Sequence, residues 1–191
     1  MRNEGLVFVV SAPSGAGKHT VLTEVLRRDP RLKLAVSATT RAARPGETDG
    51  KEYYFLSRRD FELRIEHGEF VEWAVVHANL YGTLRSELDK RLEAGTDIVL
   101  ELDIQGMRSM RHQPYGSVAI FIEPPSMEKL RARLEGRRTD SPEQIELRMK
   151  TAEVEMTARN EFDHVIVNKE VDRAAEEMLT LVEQYRQNAK R

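Results

Sequence analysis

Near the start of the chain, Ser11-Ala12-Pro13-Ser14-Gly15-Ala16-Gly17-Lys18 joins an apolar run to a helical pattern. The run before it, Leu6-Val7-Phe8-Val9-Val10, is continuous and β-rich, as in a strand buried on both faces of a parallel sheet. After it, Val21, Leu22, Val25 and Leu26 recur on one face at helical spacing. Glycines at such a junction let the backbone bend until successive N–H groups converge at the helix N-terminus, an arrangement that holds phosphate oxygens. Lys18 adds a mobile positive charge suited to β- and γ-phosphates. Ala12, Pro13, Ser14, Gly15, Ala16, Gly17, Lys18, His19 and Thr20 therefore form a candidate phosphate-binding segment. A glycine-rich turn that binds nothing is the plainer alternative, and the lysine between correct flanking elements argues against it.

The segment departs from the general pattern G-x-x-x-x-G-K-[ST] at two places. Ala12 stands at the first glycine, a mild change where that position does not need positive φ. His19 stands where a Ser or Thr hydroxyl usually touches Mg²⁺. Mg²⁺ prefers oxygen ligands and keeps several waters, so imidazole is a poor direct substitute. The hydroxyl of Thr20 lies about 100° further round the helix. The expectation is that Mg²⁺ is held mainly by nucleotide phosphates and water, not by a protein metal site. His19 would then hydrogen-bond a phosphate or a water, or play no part.

Further apolar runs at Asp97–Leu102, Val118–Ile122 and Asp163–Val167 are each followed by a helical pattern. Ser141-Pro142-Glu143-Gln144 predicts a helix start, with Ser as N-cap, Pro at the first position and Gln at the capping-box site. A last helix from about Asp172 carries Met178, Leu181, Val182 and Tyr185 as its apolar stripe. This alternation predicts a three-layer α/β fold: a parallel sheet, right-handed crossovers and helices on both faces. Ser37 to Ala94 reads differently, with a Pro/Gly/Asp-rich loop from Arg44 to Gly50, strand-like Tyr53–Phe55 and Phe70–Val76, and a turn at Asn79–Gly82. A second excursion, Glu135–Asp140, is polar and rich in arginine. The expected division is a core of residues 1–36, 95–126 and 152–191, a mixed, mostly antiparallel insertion of residues 37–94, and a small lid of residues 127–151.

Composition narrows the partners. Thirty Lys and Arg against 32 Asp and Glu give a net charge of −2, which argues against a dedicated nucleic-acid binder. Basic residues cluster at Arg41/Arg44 and from Arg131 to Arg138, so small phosphate-bearing ligands remain open. The absence of cysteine rules out disulfides and thiolate metal sites and suits a reducing compartment. The N-terminal run is too short to span a membrane and lacks a signal-peptide cleavage pattern. A cytoplasmic protein is expected; a homo-oligomer is left open.

The chain resembles guanylate kinases through a series of segments in order. These are Ser37-Ala38-Thr39-Thr40-Arg41-Ala42-Ala43-Arg44-Pro45-Gly46-Glu47, Gly50-Lys51-Glu52-Tyr53-Tyr54-Phe55, Phe70-Val71-Glu72-Trp73-Ala74 and Leu80-Tyr81-Gly82-Thr83. Asp103-Ile104-Gln105-Gly106, Arg133-Leu134-Glu135-Gly136-Arg137 and Val165-Ile166-Val167-Asn168 continue it. The resemblance implies transfer of the γ-phosphate of ATP to GMP, with dGMP as a further candidate acceptor. It implies that Arg137 and Arg148, with Lys18, approach the transferring group. Arg133, Arg138 and Asn168 are then expected at the donor nucleotide. For the acceptor it implies Ser37, Arg41, Arg44, Tyr53, Glu72, Tyr81, Thr83, Glu101 and Asp103.

The residue types suit those roles. Arg41 and Arg44 offer planar forks for a phosphate dianion, although paired arginines in a loop read equally well as solvated surface. A carboxylate at Glu72 can accept from guanine N1–H and its exocyclic amine together, whereas adenine would leave it unpaired. Without the resemblance, Glu72 reads as a surface acid. Ser37 and Thr83 are hydroxyls able to donate to guanine O6. Asp103 follows the Asp97–Leu102 run, where α/β sheets place ligands, and Glu101 shares the role or only the strand. Trp73 and Phe70 are assigned to packing. A silent binding module built on the same fold is the alternative, and Lys18, Arg137 and Arg148 speak for the enzyme.

Overall fold

The computed structural model describes residues 5–76, 78–136 and 141–189. The N-terminal run forms β1 (Val7–Ser11), buried throughout, and the loop after it opens into α1 (Lys18–Arg28). A short β2 (Leu32–Leu34) precedes the insertion, which contains β3 (Ala38–Thr39), β4 (Tyr54–Phe55), α2 (Arg58–Glu66), β5 (Phe70–Val76) and β6 (Asn79–Leu84). The chain returns through α3 (Arg85–Glu93) to β7 (Asp97–Glu101), α4 (Ile104–Arg111) and β8 (Val118–Glu123). It ends with α5 (Met127–Gly136), α6 (Pro142–Thr157), β9 (His164–Val167) and α7 (Val171–Ala189).

The parallel α/β architecture read from the sequence is borne out. Five strands lie in the order β2-β7-β1-β8-β9, every pairing parallel. Strands buried on both faces need two apolar layers, and both are present. Phe8, Val10, Ile120 and Ile122 pack with Val21, Leu22 and Val25 of α1 and Met178 and Val182 of α7. On the other face Val7, Val9, Ile98, Leu100 and Phe121 pack with Leu88 and Leu92 of α3 and Met107 and Met110 of α4. Central β1 thus aims the phosphate-loop candidate at the carboxyl edge, beside the end of β7.

The insertion forms a second, mixed sheet in the order β4-β3-β6-β5. Phe61 stacks on Phe70 with ring centroids 4.3 Å apart and anchors its small core with Ala38, Leu80 and Leu84. The pairing of β5 with β6 shifts register between Phe70 and Glu72. That irregularity lets consecutive Phe70, Val71 and Glu72 all be buried, which regular alternation forbids. Two readings are corrected here. Asn79–Gly82 is strand rather than turn, since Asn79 already pairs with Val76 and the positive φ of 68° falls on Ala78. Trp73 does not pack: it is 46% exposed, because strand alternation resumes after Glu72 and turns its ring outward.

Helices α2 and α3 were not anticipated, and α2 explains why: Phe61 is its one buried residue, so it shows no apolar stripe. The start of α6 is as expected. Ser141 caps the backbone N–H of Gln144, whose side chain caps Ser141 in return, with Pro at the first turn. Helices α5 and α6 share a small core of Leu130, Leu134, Ile145, Met149 and Ala152.

At the opposite edge of the parallel sheet, buried Arg186 of α7 joins separate segments. Its Nε donates to Asp97 Oδ2 at 2.6 Å and its Nη1 donates to Asp29. The other oxygen of Asp97 accepts the backbone N–H of Leu6 at 2.8 Å. Burial pushes the Asp29 carboxyl up, but hydrogen bonds from Arg31 and Arg186 outweigh it and hold the group below its ordinary range. A depressed carboxyl stabilises the fold above its unfolded pKa, and that contribution is lost as pH falls through the acid range. Removing one partner of a buried ion pair leaves a charge uncompensated. Arg186→Ala should therefore lower the unfolding free energy by about 3–5 kcal/mol at neutral pH. In urea denaturation the deficit should begin to shrink below about pH 4, the ordinary aspartate range, where the unfolded chain takes up a proton that the folded parent keeps off Asp29.

Candidate active site

The turn between β1 and α1 is built on two left-handed glycines. Gly15 and Gly17 both have φ of 91°, a region that costs little only without a Cβ. Space forbids a side chain as well. A Cβ on Gly15 would come within 2.8 Å of the Leu134 side chain, and one on Gly17 within 2.6 Å of Asn168 Nδ2. Gly17 is the N-cap of α1 and supplies no side-chain cap, so the amides of the first turn remain donors for a ligand.

Other elements brace this turn. Asn168, 2% exposed, donates its amide to the Ala16 carbonyl at 2.8 Å. Arg133 of α5 donates to the same carbonyl at 3.2 Å and to the Asn168 carbonyl at 2.8 Å. Both residues thus hold the loop's backbone through the Ala16 carbonyl. From α6, Arg148 Nη1 donates to Ser14 Oγ at 3.1 Å, and Glu155 Oε2 accepts the Ser14 backbone N–H at 3.2 Å. Sequence reasoning missed Glu155. Its available signal was the spacing, since it stands seven residues, two helical turns, beyond Arg148 and so on the same face. Arg137 and Arg138 lie outside the described residues.

Lys18 reaches across to β7. Its Nζ donates to the Leu102 carbonyl at 3.1 Å and lies 3.8 Å from Glu101 Oε1. Burial lowers its pKa, opposed by the negative charges of Glu101, Asp103 and Glu155. The other oxygen of Glu101 faces His19 Nδ1 at 3.6 Å. Ala12 is partly buried against the core, and Thr20 is exposed on the outer side of α1. Among the described residues no three His, Asp or Glu side chains converge as a metal site. Glu101 offers Mg²⁺ the oxygen it requires and His19 does not, so the residues present suit an ion carried mainly by the nucleotide.

Glu101 and Asp103 also line a neighbouring cleft with Ser37, Tyr53, Glu72 and Tyr81. The cavity around Lys18 and His19 shares Ser37, Tyr53, Glu101, Leu102 and Asp103 with it. One continuous cleft therefore joins the loop to the insertion. At its far end Glu72, 8% exposed, accepts the Thr83 hydroxyl at 2.7 Å. Thr83 is fully buried and lies behind the carboxylate, orienting it. Asp103 Oδ1 caps α4 by accepting the Gly106 N–H at 2.7 Å. A Cβ on Gly106 would sit 3.4 Å from Glu72 Oε2, so its absence leaves room beside the acid. Burial pushes the Glu72 carboxyl up to about 7, with the Thr83 hydrogen bond lowering it and Asp103 raising it further.

The guanidinium of Arg41 lies 5.4 Å from the Tyr53 ring centroid and 5.7 Å from that of Phe55. Both oxygens of Glu47 accept from it at 2.9 Å, so an internal carboxylate occupies its fork. Tyr53 and Tyr81 meet edge to face at 6.0 Å. Arg44 is exposed and does not line the cleft, although its backbone N–H donates to Glu47 at 2.7 Å. Glu47 was quoted within the resemblance without a role. The signal for it was a carboxylate within six residues of two arginines.

A phosphate-shaped loop at the carboxyl edge of a parallel sheet, sharing a cleft with an acid-lined insertion, defines a P-loop nucleotide-binding α/β protein with a second ligand site. The guanylate kinase family model matches residues 5–185, and the chain belongs to that family. A guanylate kinase of Rubrobacter xylanophilus is 47% identical over 93% of each chain. One of Geobacter sulfurreducens is 45% identical over 95% of this chain and 90% of its own. The crystal structure of guanylate kinase from Anaplasma phagocytophilum superposes with a TM-score of 0.75 at 34% identity, over 97% of this chain and 88% of that one. No helix among the described residues is long and apolar enough to cross a membrane.

An acid whose pKa is raised by folding stabilises the fold fully only below its unfolded pKa, and that contribution is lost as pH rises through the folded value. For Glu72 the interval runs from 4.5 to about 7, a cost of roughly 3 kcal/mol once the group is ionised. Glu72→Gln removes that cost. Thermal unfolding should show the variant gaining stability relative to the parent as pH rises from 5 to 8. A constant difference across that range would remove the assignment.

Proposed function

We propose that this protein transfers the γ-phosphate of ATP to GMP, giving ADP and GDP. The observation that carries the reading is the position of Glu72: a buried carboxylate, fixed by Thr83, at the far end of the cleft that begins at Lys18. Its oxygens accept from guanine N1–H and the exocyclic amine, and Ser37 serves the guanine O6. Arg41, Tyr53 and Tyr81 receive the GMP phosphate, with Arg41 exchanging Glu47 for phosphate oxygens, and the exposed Arg44 joins them by swinging in from outside the cleft. Thr83 positions the carboxylate, while Glu101 and Asp103 shape the wall between the two nucleotides.

Residues 12–20 hold ATP through backbone N–H groups and the Lys18 ammonium. Arg133 and Asn168 serve the donor through the loop they brace, and Arg138, five residues after Arg133, is assigned to the donor with them. Arg148 and Arg137 approach the transferring group from the lid, residues 127–151. The insertion, residues 37–94, carries the acceptor, and residues 1–36, 95–126 and 152–191 form the core. The phosphate of GMP is already an ionised nucleophile, so the protein's task is in-line positioning, charge neutralisation and exclusion of water. Mg²⁺ bound with the nucleotide offsets charge on the β- and γ-phosphate oxygens. With no cysteine and freely diffusing nucleotides as substrates, the work is assigned to the cytoplasm.

The test is ADP release from ATP with GMP, dGMP, AMP, UMP or CMP as acceptor. GMP should be strongly preferred; no GMP-dependent ADP would overturn the reading, and equal turnover with AMP would overturn the base selection. Glu72→Ala should lower the GMP/AMP ratio of kcat/KM by roughly 10–100-fold, the worth of hydrogen bonds to a charged group. ATP binding should change far less.

A further inference from the structure

Glu87 is a buried acid that the reading above leaves without a role. It is 7% exposed and stands in the first turn of α3, where the helix dipole favours a carboxylate. An acid so placed must be matched by donors, and three reach it from different directions. The Val36 backbone N–H donates to Oε1 at 3.0 Å and the Tyr54 hydroxyl donates to Oε2 at 3.0 Å. Arg91 Nη2, one helical turn further along α3, lies 2.6 Å from Oε1.

These partners straddle the boundary between the two sheets. Helix α3 belongs to the core, since Leu88 and Leu92 pack with Ala35, Ile98 and Leu100. Tyr54 lies on β4 of the insertion and packs with the small core of Ala38, Phe61 and Phe70. Val36 is the peptide at which the chain crosses from one unit to the other. Just before it, the Ala35 N–H donates to the Val99 carbonyl of β7 at 2.9 Å; just after it, the Ser37 carbonyl accepts the Tyr54 N–H at 2.9 Å. Between those two ladders the Val36 N–H turns to Glu87.

The residues beside this crossing face the cleft. Ser37 follows Val36 and Tyr53 precedes Tyr54, and both line the cleft at its Lys18 end and at its Glu72 end. We propose that Glu87 is a positioning residue for the acceptor. By joining α3 to Val36 and Tyr54, it fixes the insertion's sheet against the core and so places Ser37 and Tyr53 relative to Lys18. The inference rests on the assignment of this cleft to the acceptor nucleotide. Glu87 acts through these neighbours and not on the ligand. A displacement of about 1 Å in a reacting group can cost roughly 100-fold in rate, so slack at the crossing is felt in the use of the acceptor. The donor loop is braced separately, by Asn168 and Arg133.

The experiment combines kinetics with a distance measurement on the intact chain. Tyr54→Phe deletes only the hydroxyl that reaches Glu87. Glu87→Ala removes the whole clip, whereas Glu87→Gln keeps an oxygen for the Val36 N–H and sets an amide against the Tyr54 hydroxyl. The kcat/KM for GMP should fall about three- to tenfold in Tyr54→Phe and about 10–100-fold in Glu87→Ala. Glu87→Gln should recover most of that loss, and affinity for a non-hydrolysable ATP analogue should be unchanged in all three. The chain has no cysteine, so Glu66→Cys on α2 and Glu177→Cys on α7, both exposed, carry spin labels at two sites alone. The distance between the labels should be narrowly distributed in the parent and broader in Tyr54→Phe and Glu87→Ala. An equal loss of analogue binding would mark general damage and overturn the positioning role, as would variants that keep the parent's distance distribution. Should Glu87→Ala not fold, Tyr54→Phe decides. A parent that transfers nothing to GMP would overturn the acceptor assignment, and the distance distributions would still support or overturn the clip.

Discussion

The sharp reversal between β1 and α1 is the constraint around which the molecule is arranged. It requires two residues in the left-handed region, and the space beside each is taken by a neighbour, Leu134 at Gly15 and the Asn168 amide at Gly17. The turn satisfies the Ala16 N–H internally, on the Pro13 carbonyl, and leaves the first-turn amides of α1 as donors. The surrounding structure must therefore hold it without covering those donors. Arg133 and Asn168 do so through the Ala16 carbonyl, an acceptor and not one of the loop's donors. The parallel sheet sets the direction, because its central strand delivers the turn to the edge where β7 also ends.

A second theme is that donors around the cleft are paired internally. Arg41 is held by Glu47, the Ser14 amide by Glu155, and Lys18 by the Leu102 carbonyl with Glu101 nearby. Buried or half-buried polar groups are costly when unpaired, and these contacts keep the cost low without a ligand. In the function proposed above, binding is an exchange of partners rather than the filling of empty sites. The same crowding raises the Glu155 carboxyl above its ordinary range, burial outweighing the Ser14 N–H and Lys18. At Glu72 burial dominates too, and its carboxylate gains most from a ligand that brings donors.

Much of the fold was legible in the sequence. The strands of the parallel sheet are continuous apolar runs, and α1, α6 and α7 carry either a stripe or a cap. Where the local signal was weak the reading failed or was silent. Helix α2 buries a single side chain, β2 is three residues long, and the residues read as a turn at Asn79–Gly82 are a strand whose pairing is set by β5. Trp73 looked like a packing residue by type, but strand alternation after the bulge turned it outward. The acceptor cleft was legible mainly through the family resemblance, since Glu72 alone reads as a surface acid.

What the sequence determined by itself was the strand–loop–helix at the N-terminus, the α/β alternation and the presence of an inserted unit. Backbone preference and apolar periodicity act over a few residues and leave a local record. Tertiary structure alone decided that Thr83 supports Glu72, that Glu155 reaches Ser14 across 141 positions of chain, and that His19 faces Glu101. Those distances depend on how sheets and helices pack, which no local pattern encodes. The phosphate loop was thus written in the sequence, while the carboxylates that face it were brought there by the fold.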